Sequence, residues 1–441
     1  MSSSRWTAPQ VDAFPLRRPL TFYPSKRTVS NRLMKAAMTE RLSSWSPVDA
    51  QARGVPSLEL INLYRTWGRG DLGLIITGNI MIELDQLEGP GNAIIPKGAR
   101  FDGPRFSAFA SMAAEGKRNG SLMIGQLSHP GSVAVSHVAT KVISASHISK
   151  KYQEPFPAPD APDPEPATLE EISEVIKTFG HAAEYLERAG FDGVEIHAGH
   201  TYLLSQFVSP ETNKRTDAYS GSVGARARIV LEVLQEVRRR TSSAFVVGVK
   251  LNSADFQGET WRLEDARKLF GLLDSHGFDF VELSGGDFEQ LEEREHKRES
   301  TVRREEFFVG FARAAAETVT RAKVYITGGF RTAAGMVEAL QLSDGVGLGK
   351  PITHEPYLGR ELLEGKVQAA IKCSIPDSSG IVAIAAAGAQ MRRIAAGLAP
   401  VDFGLEQTKN EFMVDLQKWI EKGATDTEHK EYGFVEISAA A

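Results

Sequence analysis

The sequence predicts an α/β protein, a closed (β/α)8 barrel with a C-terminal helical extension. Three observations predict it. Short β-branched or apolar runs alternate with longer stretches of helical spacing. Eight such runs can be counted, whereas an open doubly wound sheet, the alternative fold, normally needs fewer. Polar residues or glycines close almost every run.

The expected strands are residues 31–37, 72–77, 121–127, 192–197, 246–251, 279–283, 323–327 and 344–348. Among the helices between them, residues 169–189 open with a capping box, Thr168 to Glu171. Residues 225–240 repeat apolar side chains every three or four positions, and 262–276 carry Leu263, Ala266, Leu269, Leu272 and Leu273 as one stripe. Six prolines between Glu154 and Pro166 read as a semi-rigid surface connection rather than an element. Residues 287–306 are dense in both charge signs, which reads as a solvated loop or helix, although their place after the sixth strand also suits a lid. From residue 374 onward the pattern is all-helical, with 403–422 the clearest amphipathic stretch. The chain therefore divides into a barrel, residues 1–373, and a helical appendage, residues 374–441.

Composition narrows the function. The 441 residues are 42% hydrophobic and 24% charged, ordinary globular values that exclude disorder throughout. A net charge of -5 and a pI near 6.1 leave no basic footprint for nucleic acid or an anionic membrane, so small-molecule chemistry is the expectation. The most apolar stretch, residues 381–390, is too short to span a bilayer, and the N-terminus has no apolar signal-peptide core. The single cysteine, Cys373, can form neither an intramolecular disulfide nor a multi-cysteine metal site, which fits a reducing, cytoplasmic setting.

In barrels of this kind the loops at the strand C-termini converge above an apolar interior, so strand ends are where chemistry is sought. Gly328 and Gly329 follow the seventh strand, and Gly349 and Lys350 the eighth. They offer backbone N–H groups and a cation to a phosphate; tight βα turns are the plainer alternative. Gln126 and Lys250, ending the third and fifth strands, offer an amide and a cation to an electron-poor heterocycle such as a flavin, though a strand-end lysine also serves as a salt-bridge partner. His197, His200 and Tyr202 follow the fourth strand. Paired imidazoles can hold an oxygen where negative charge develops while a phenol donates a proton. The pair also suits zinc, but no nearby cysteine or third ligand accompanies it, and no metal is assigned. A purely structural role has one imidazole satisfying a carbonyl while Tyr202 packs.

These residues together resemble the Old Yellow Enzyme family of FMN-dependent ene-reductases. The resemblance runs from about residue 19 to 362 and rests on residues 31–39 (NRLMKAAMT), 125–131 (GQLSHPG), 192–210 (DGVEIHAGHTYLLSQFVSP), 213–228 (NKRTDAYSGSVGARAR) and the two glycine segments. It implies a (β/α)8 TIM barrel in which Ala37, Met38 and Thr39 line the flavin, Thr39 bonding its O4. Gln126 would bind the pyrimidine edge and Lys250 would stand near N1 and O2, where the family commonly has arginine. Asn79 occupies a position where the family usually brings a small residue close to the ring. Gly328, Gly329, Gly349 and Lys350 would hold the FMN phosphate. His197 and His200 match the family's substrate-oxygen pair, and Tyr202 its proton donor.

The implied reaction passes hydride from NADPH or NADH through FMN to the C=C bond of an α,β-unsaturated carbonyl or nitro compound. The sequence departs from the family pattern at Thr39, where the most similar branch often has cysteine, and at Thr201 and Ser220, where glycine is usual. Asn213, Arg215, Asp217 and Arg226 read as scaffold. Two other functions stay open: a flavin-dependent isomerase, demethylase or desaturase of a dedicated biosynthetic intermediate, and a flavin-free binding or regulatory barrel. The helical tail either packs on its own barrel or bridges to a second subunit, which leaves a homo-oligomer open.

Overall fold

A computed structural model describes residues 4–147, 163–256, 262–286 and 299–438. Its main sheet contains β1 (Leu33–Lys35), β2 (Leu74–Met81), β3 (Leu122–Ser128), β4 (Gly193–His197), β5 (Val246–Asn252), β6 (Phe280–Ser284), β7 (Lys323–Thr327) and β8 (Gly345–Leu348). All run parallel in sequence order, and β1 pairs with both β8 and β2, so the sheet closes on itself as a barrel rather than lying open.

Two strands differ from expectation for local reasons. β1 is shorter because Asn31 is part of a turn, its Oδ1 accepting from the N–H groups of Leu33 and Gly73, each at 3.0 Å. β2 runs four residues past Thr77 because its register slips between Ile76 and Asn79. At that bulge the Gly78 N–H donates to Glu40 Oε1 at 2.8 Å, and a Cβ there would lie 2.0 Å from Glu40 Oε2, so only glycine fits.

Helices α1 (Leu58–Trp67), α2 (Gly103–Gly116), α3 (Leu169–Arg188), α4 (Val223–Arg240), α5 (Leu263–His276), α6 (Glu299–Thr318) and α7 (Ala333–Ala339) follow the first seven strands, and the shorter α8 (Leu358–Leu363) follows the eighth. The predicted capping box forms at α3: Glu171 N–H donates to Thr168 Oγ1 at 3.1 Å and Thr168 N–H to the Glu171 carboxylate at 2.8 Å. Residues 154–162 and 287–298 lie outside the described residues. Next to them, Glu165–Pro166 pairs as a short strand with Ile143–Ser144, and residues 299–306 begin α6.

Alternation along each strand sorts the barrel interior by height. Low down, Met34, Ile76, Ile124, Val246, Phe280 and Tyr325 form an apolar floor, stoppered by Phe22 from an N-terminal hairpin. Gly248 belongs to this layer because a Cβ there would meet the Phe280 ring at 2.1 Å. We expect Gly248→Ala to overpack the floor and destabilise the protein by about 1–3 kcal/mol. Thermal unfolding reads this out, and an unchanged midpoint would contradict the packing. Higher up the same rows turn polar: Ile124 is followed by Gln126 and Ser128, Gly193 by Glu195 and His197, Gly248 by Lys250 and Asn252, and Phe280 by Glu282 and Ser284.

Beyond the barrel, α9 (Ile381–Ala395) packs on α1, with Met391, Ile394 and Ala395 joining the main core and Asn62 Nδ2 donating to Ala395 O at 3.4 Å. After α10 (Glu406–Thr425) the chain returns to the loops that follow β1 and β3. Trp45 Nε1 donates to His429 O at 2.7 Å, the His137 and His429 rings stack at 4.2 Å, and the Arg41 guanidinium lies over the Phe434 ring. Among the described residues, no helix is long and apolar enough to cross a membrane.

Candidate active site

Strand register brings distant residues into one layer. Gln126 stands opposite Glu195, and Lys250 opposite both His197 and Glu282. Gln126 Nε2 donates to Glu195 Oε1 at 2.8 Å, and Lys250 Nζ to Glu282 Oε1 at 2.7 Å; all four residues are buried. Burial and then the charge of Glu282 hold the Glu195 carboxyl well above the usual carboxylate range, so it keeps its proton. Burial opposes ionisation of Glu282 too, but Lys250 together with hydrogen bonds from Glu195 and Thr327 outweighs it and holds that carboxylate below the usual range. The layer thus holds one ammonium, one carboxylate and one neutral acid, a balanced arrangement for so dry a site.

Above it runs a chain of neutral groups. Ser128 Oγ meets His197 Nδ1 at 3.0 Å, His197 Nε2 meets His200 Nδ1 at 2.8 Å, and His200 Nε2 lies 3.4 Å from Ser284 Oγ. Burial, then His200 and Lys250, push the His197 imidazole well below its ordinary value. His200 is exposed to solvent, and neighbouring protein and then Lys250 draw its imidazole below the ordinary value. Both imidazoles therefore stay neutral at physiological pH. We expect their side-chain ¹⁵N resonances to remain those of neutral rings between about pH 5 and 8. A ring titrating at the ordinary value of about 6.5 would contradict this environment.

His200 and Thr201 both adopt left-handed backbone, with φ of 60° and 58°. This conformation costs a non-glycine residue about 1–2 kcal/mol, which explains why glycine is usual at position 201 in the pattern this sequence resembles. The turn swings Tyr202 back so that its ring lies 4.3 Å from the His197 ring and its hydroxyl accepts from Asn79 Nδ2 at 3.0 Å. Burial and then Glu88 raise the phenol well above its ordinary value, so Tyr202 keeps its proton.

Asn79, carried inward by the β2 bulge, joins a network that sequence reasoning missed. Asn92 Nδ2 lies between Asn79 Oδ1 at 3.5 Å and Glu88 Oε2 at 3.1 Å. Glu88 also accepts from Thr39 Oγ1 at 3.1 Å and pairs with Arg41. Thr39 is thereby tied to the loop after β2, while Ala37 and Met38 sit half-buried at the end of β1. Glu88, Asn92 and Arg41 lie on loops without periodicity, and nothing in their spacing marks them.

At the other side of the rim β7 and β8 pair through Thr327 and Gly347, which sets Gly328 and Gly329 beside Gly349 and Lys350. A Cβ at Gly349 would meet only Met38 Sδ, at 3.8 Å, so the backbone there is open. Lys350 and Arg331 both pair with Asp377, and although burial opposes it, they hold that carboxyl below its usual range. Two cations against one carboxylate, beside open glycine backbone, suit a phosphate group. Arg331 escaped the sequence reading because it lies two residues past the glycine pair. Among the described residues, no group of three or more His, Cys, Asp or Glu could hold a metal ion.

The chain is similar to known proteins along most of its length. The profile of the NADH:flavin oxidoreductase / NADH oxidase family matches residues 15–367. The NADH-dependent flavin oxidoreductase nadA of Aspergillus parasiticus is 43% identical over 420 residues, covering 94% of each chain. The NADH-dependent flavin oxidoreductase iliE of Hypocrea jecorina is 30% identical over 354 residues, covering 76% of this chain and 86% of that one. Among solved structures, morphinone reductase matches with a TM-score of 0.64 at 21% identity, over 86% of this chain and 94% of that one. An old yellow enzyme homologue from Zymomonas mobilis matches with a TM-score of 0.63 at 22% identity, over 80% and 94%. At such identities the two structures speak to the fold, a (β/α)8 TIM barrel. With the family match spanning most of the barrel, the chain belongs to the NADH:flavin oxidoreductase / NADH oxidase family, the Old Yellow Enzyme family, and is an oxidoreductase that works with FMN and a nicotinamide hydride donor.

Proposed function

We propose that the protein is an ene-reductase, passing hydride from NADH or NADPH through FMN to the activated C=C bond of an α,β-unsaturated carbonyl or nitro compound. The observation that carries this reading is the Tyr202 hydroxyl, held by Asn79 beside the His197–His200 pair. The names of nadA and iliE favour NADH as the donor.

FMN, when bound, supplies the hydride carrier between nicotinamide and alkene. Gly328, Gly329, Gly349 and Lys350 would hold its phosphate, with Arg331 beside them. Ala37, Met38, Thr39 and Asn79 would line its ring, Gln126 would take the pyrimidine edge, and Lys250 would stand near N1 and O2. Residues 1–373 would form this FMN-binding unit, with 374–441 as its appendage.

The chain's own part is polarisation and proton supply. His197 Nε2 and His200 Nδ1 lie 2.8 Å apart, hydrogen-bonded to each other, so a substrate oxygen would take up these nitrogens by displacing that bond. A neutral imidazole has one N–H to offer, and donation to that oxygen stabilises the negative charge that develops as the β-carbon is reduced. Tyr202 then gives its proton to the α-carbon.

The test is spectroscopic. Protein as isolated should show a flavin spectrum that bleaches on anaerobic addition of NADH and returns when cyclohexenone or maleimide is added. Reduced flavin that persists in the presence of either alkene would overturn the proposal.

A further inference from the structure

The turn that carries His200 and Tyr202 is strained, and something outside it must hold it in place. Inside the loop, Thr201 Oγ1 donates to His200 O at 2.6 Å and the Gln206 amide donates to Thr201 O. Neither contact ties the turn to another strand. The His200 and Tyr202 side chains reach Ser284 and Asn79 on other strands, but the backbone of the left-handed pair is held from outside by Asp255: Thr201 N–H donates to Asp255 Oδ1 at 3.2 Å, and the His200 backbone also faces that carboxyl.

Asp255 is well placed to act as a fixed post. It lies on a single turn of 3-10 helix, Ser253–Phe256, directly after β5. The turn is anchored at both ends: Asn252 Oδ1 accepts from Ala254 N–H at 2.9 Å, and Phe256 is buried with its ring 5.1 Å from that of Phe311 on α6. The two loops also touch closely, since a Cβ at Gly199 would lie 2.9 Å from Asn252 N. The strand that bears Lys250 and the loop that bears the imidazole and the phenol thus meet at the loop's start, where Ala198 N–H donates to Lys250 O at 3.0 Å, and again at its left-handed turn through the Asp255 carboxyl.

We propose that Asp255 is a positioning residue, holding the His200–Thr201 turn in its left-handed form and so fixing where the His200 imidazole and the Tyr202 hydroxyl stand. The roles it serves are those proposed above for His200 and Tyr202. The arrangement also accounts for a threonine at position 201: the carboxyl bond offsets the conformation that glycine would adopt freely. Dependence on Asp255 should therefore vanish when residue 201 is glycine.

The experiment compares Asp255→Ala, Asp255→Asn, Thr201→Gly and the double variant Asp255→Ala with Thr201→Gly, each loaded with FMN. Asp255→Ala should slow the alkene half-reaction by about tenfold or more, since displaced catalytic groups lose rate steeply. Asp255→Asn, whose amide oxygen can still accept from Thr201, should retain most of the rate. The double variant should match Thr201→Gly alone within about threefold. A full-rate alanine variant, or a loss that glycine at 201 does not relieve, would overturn the proposal. If the alanine variant does not fold, the comparison of the double variant with Thr201→Gly decides. Should Tyr202→Phe leave alkene reduction untouched, the functional reading fails separately. Asp255 is then judged from the His200 side-chain ¹⁵N resonance, which Asp255→Ala should shift and glycine at 201 should restore.

Discussion

Tyr202→Phe should keep its FMN and oxidise NADH at the rate of the unaltered protein, yet reduce cyclohexenone about 10² to 10⁴ times more slowly, the usual weight of a positioned general acid. The substitution removes one atom. The ring keeps its place against His197, and Leu203 and Leu204 stay buried behind the turn. Asn79 Nδ2 loses its acceptor, at a stability cost of about 1–3 kcal/mol for a buried donor, which a domain of this size tolerates. Only the half-reaction that needs a proton at carbon is affected. Stopped-flow measurement of the two half-reactions separates them, and an unchanged alkene half-reaction would remove Tyr202 from the chemistry.

Replacing Arg331 and Lys350 together with alanine should weaken FMN binding by about 10² to 10⁴. Each charge-assisted bond to a phosphate is worth roughly 1.5–3 kcal/mol, and two of them convert to a loss of that order. Arg331 should account for the larger share, since its side chain is 13% exposed and that of Lys350 33%. The double variant also leaves Asp377 facing the site without either cation, adding repulsion of like charge. Riboflavin, which lacks the phosphate, is the control. Fluorescence titration of the apoprotein should show FMN binding fall toward that of riboflavin while riboflavin itself is unaffected. Equal losses for both ligands would place the defect in folding rather than in phosphate binding.

The barrel was legible because closure needs only periodicity. Alternation within β3 to β6 puts Gln126, Glu195, Lys250 and Glu282 inside, whatever the loops do, and strand ends mark the rim. The bulge at Gly78 was not legible. It depends on Glu40 and Tyr64, which come from elements that only the folded barrel brings together. Gln126 and Lys250 fall on strands that periodicity predicts, but their bonds to Glu195 and Glu282 follow from register across strands far apart in sequence. Glu88, Asn92 and Arg331 were missed for a similar reason: a loop residue meets its partners only through the path of its loop, and no spacing rule encodes that path.

The segment that returns to rest on Trp45, His137 and Arg41 brings residues 429–434 to the doorway of the barrel. The strand tips that hold the proposed reaction groups and the tail that rests on the neighbouring loops are therefore separate stretches of one polypeptide. Side-chain changes in that late stretch can reshape the threshold a visiting molecule crosses while the chemistry beneath keeps its geometry.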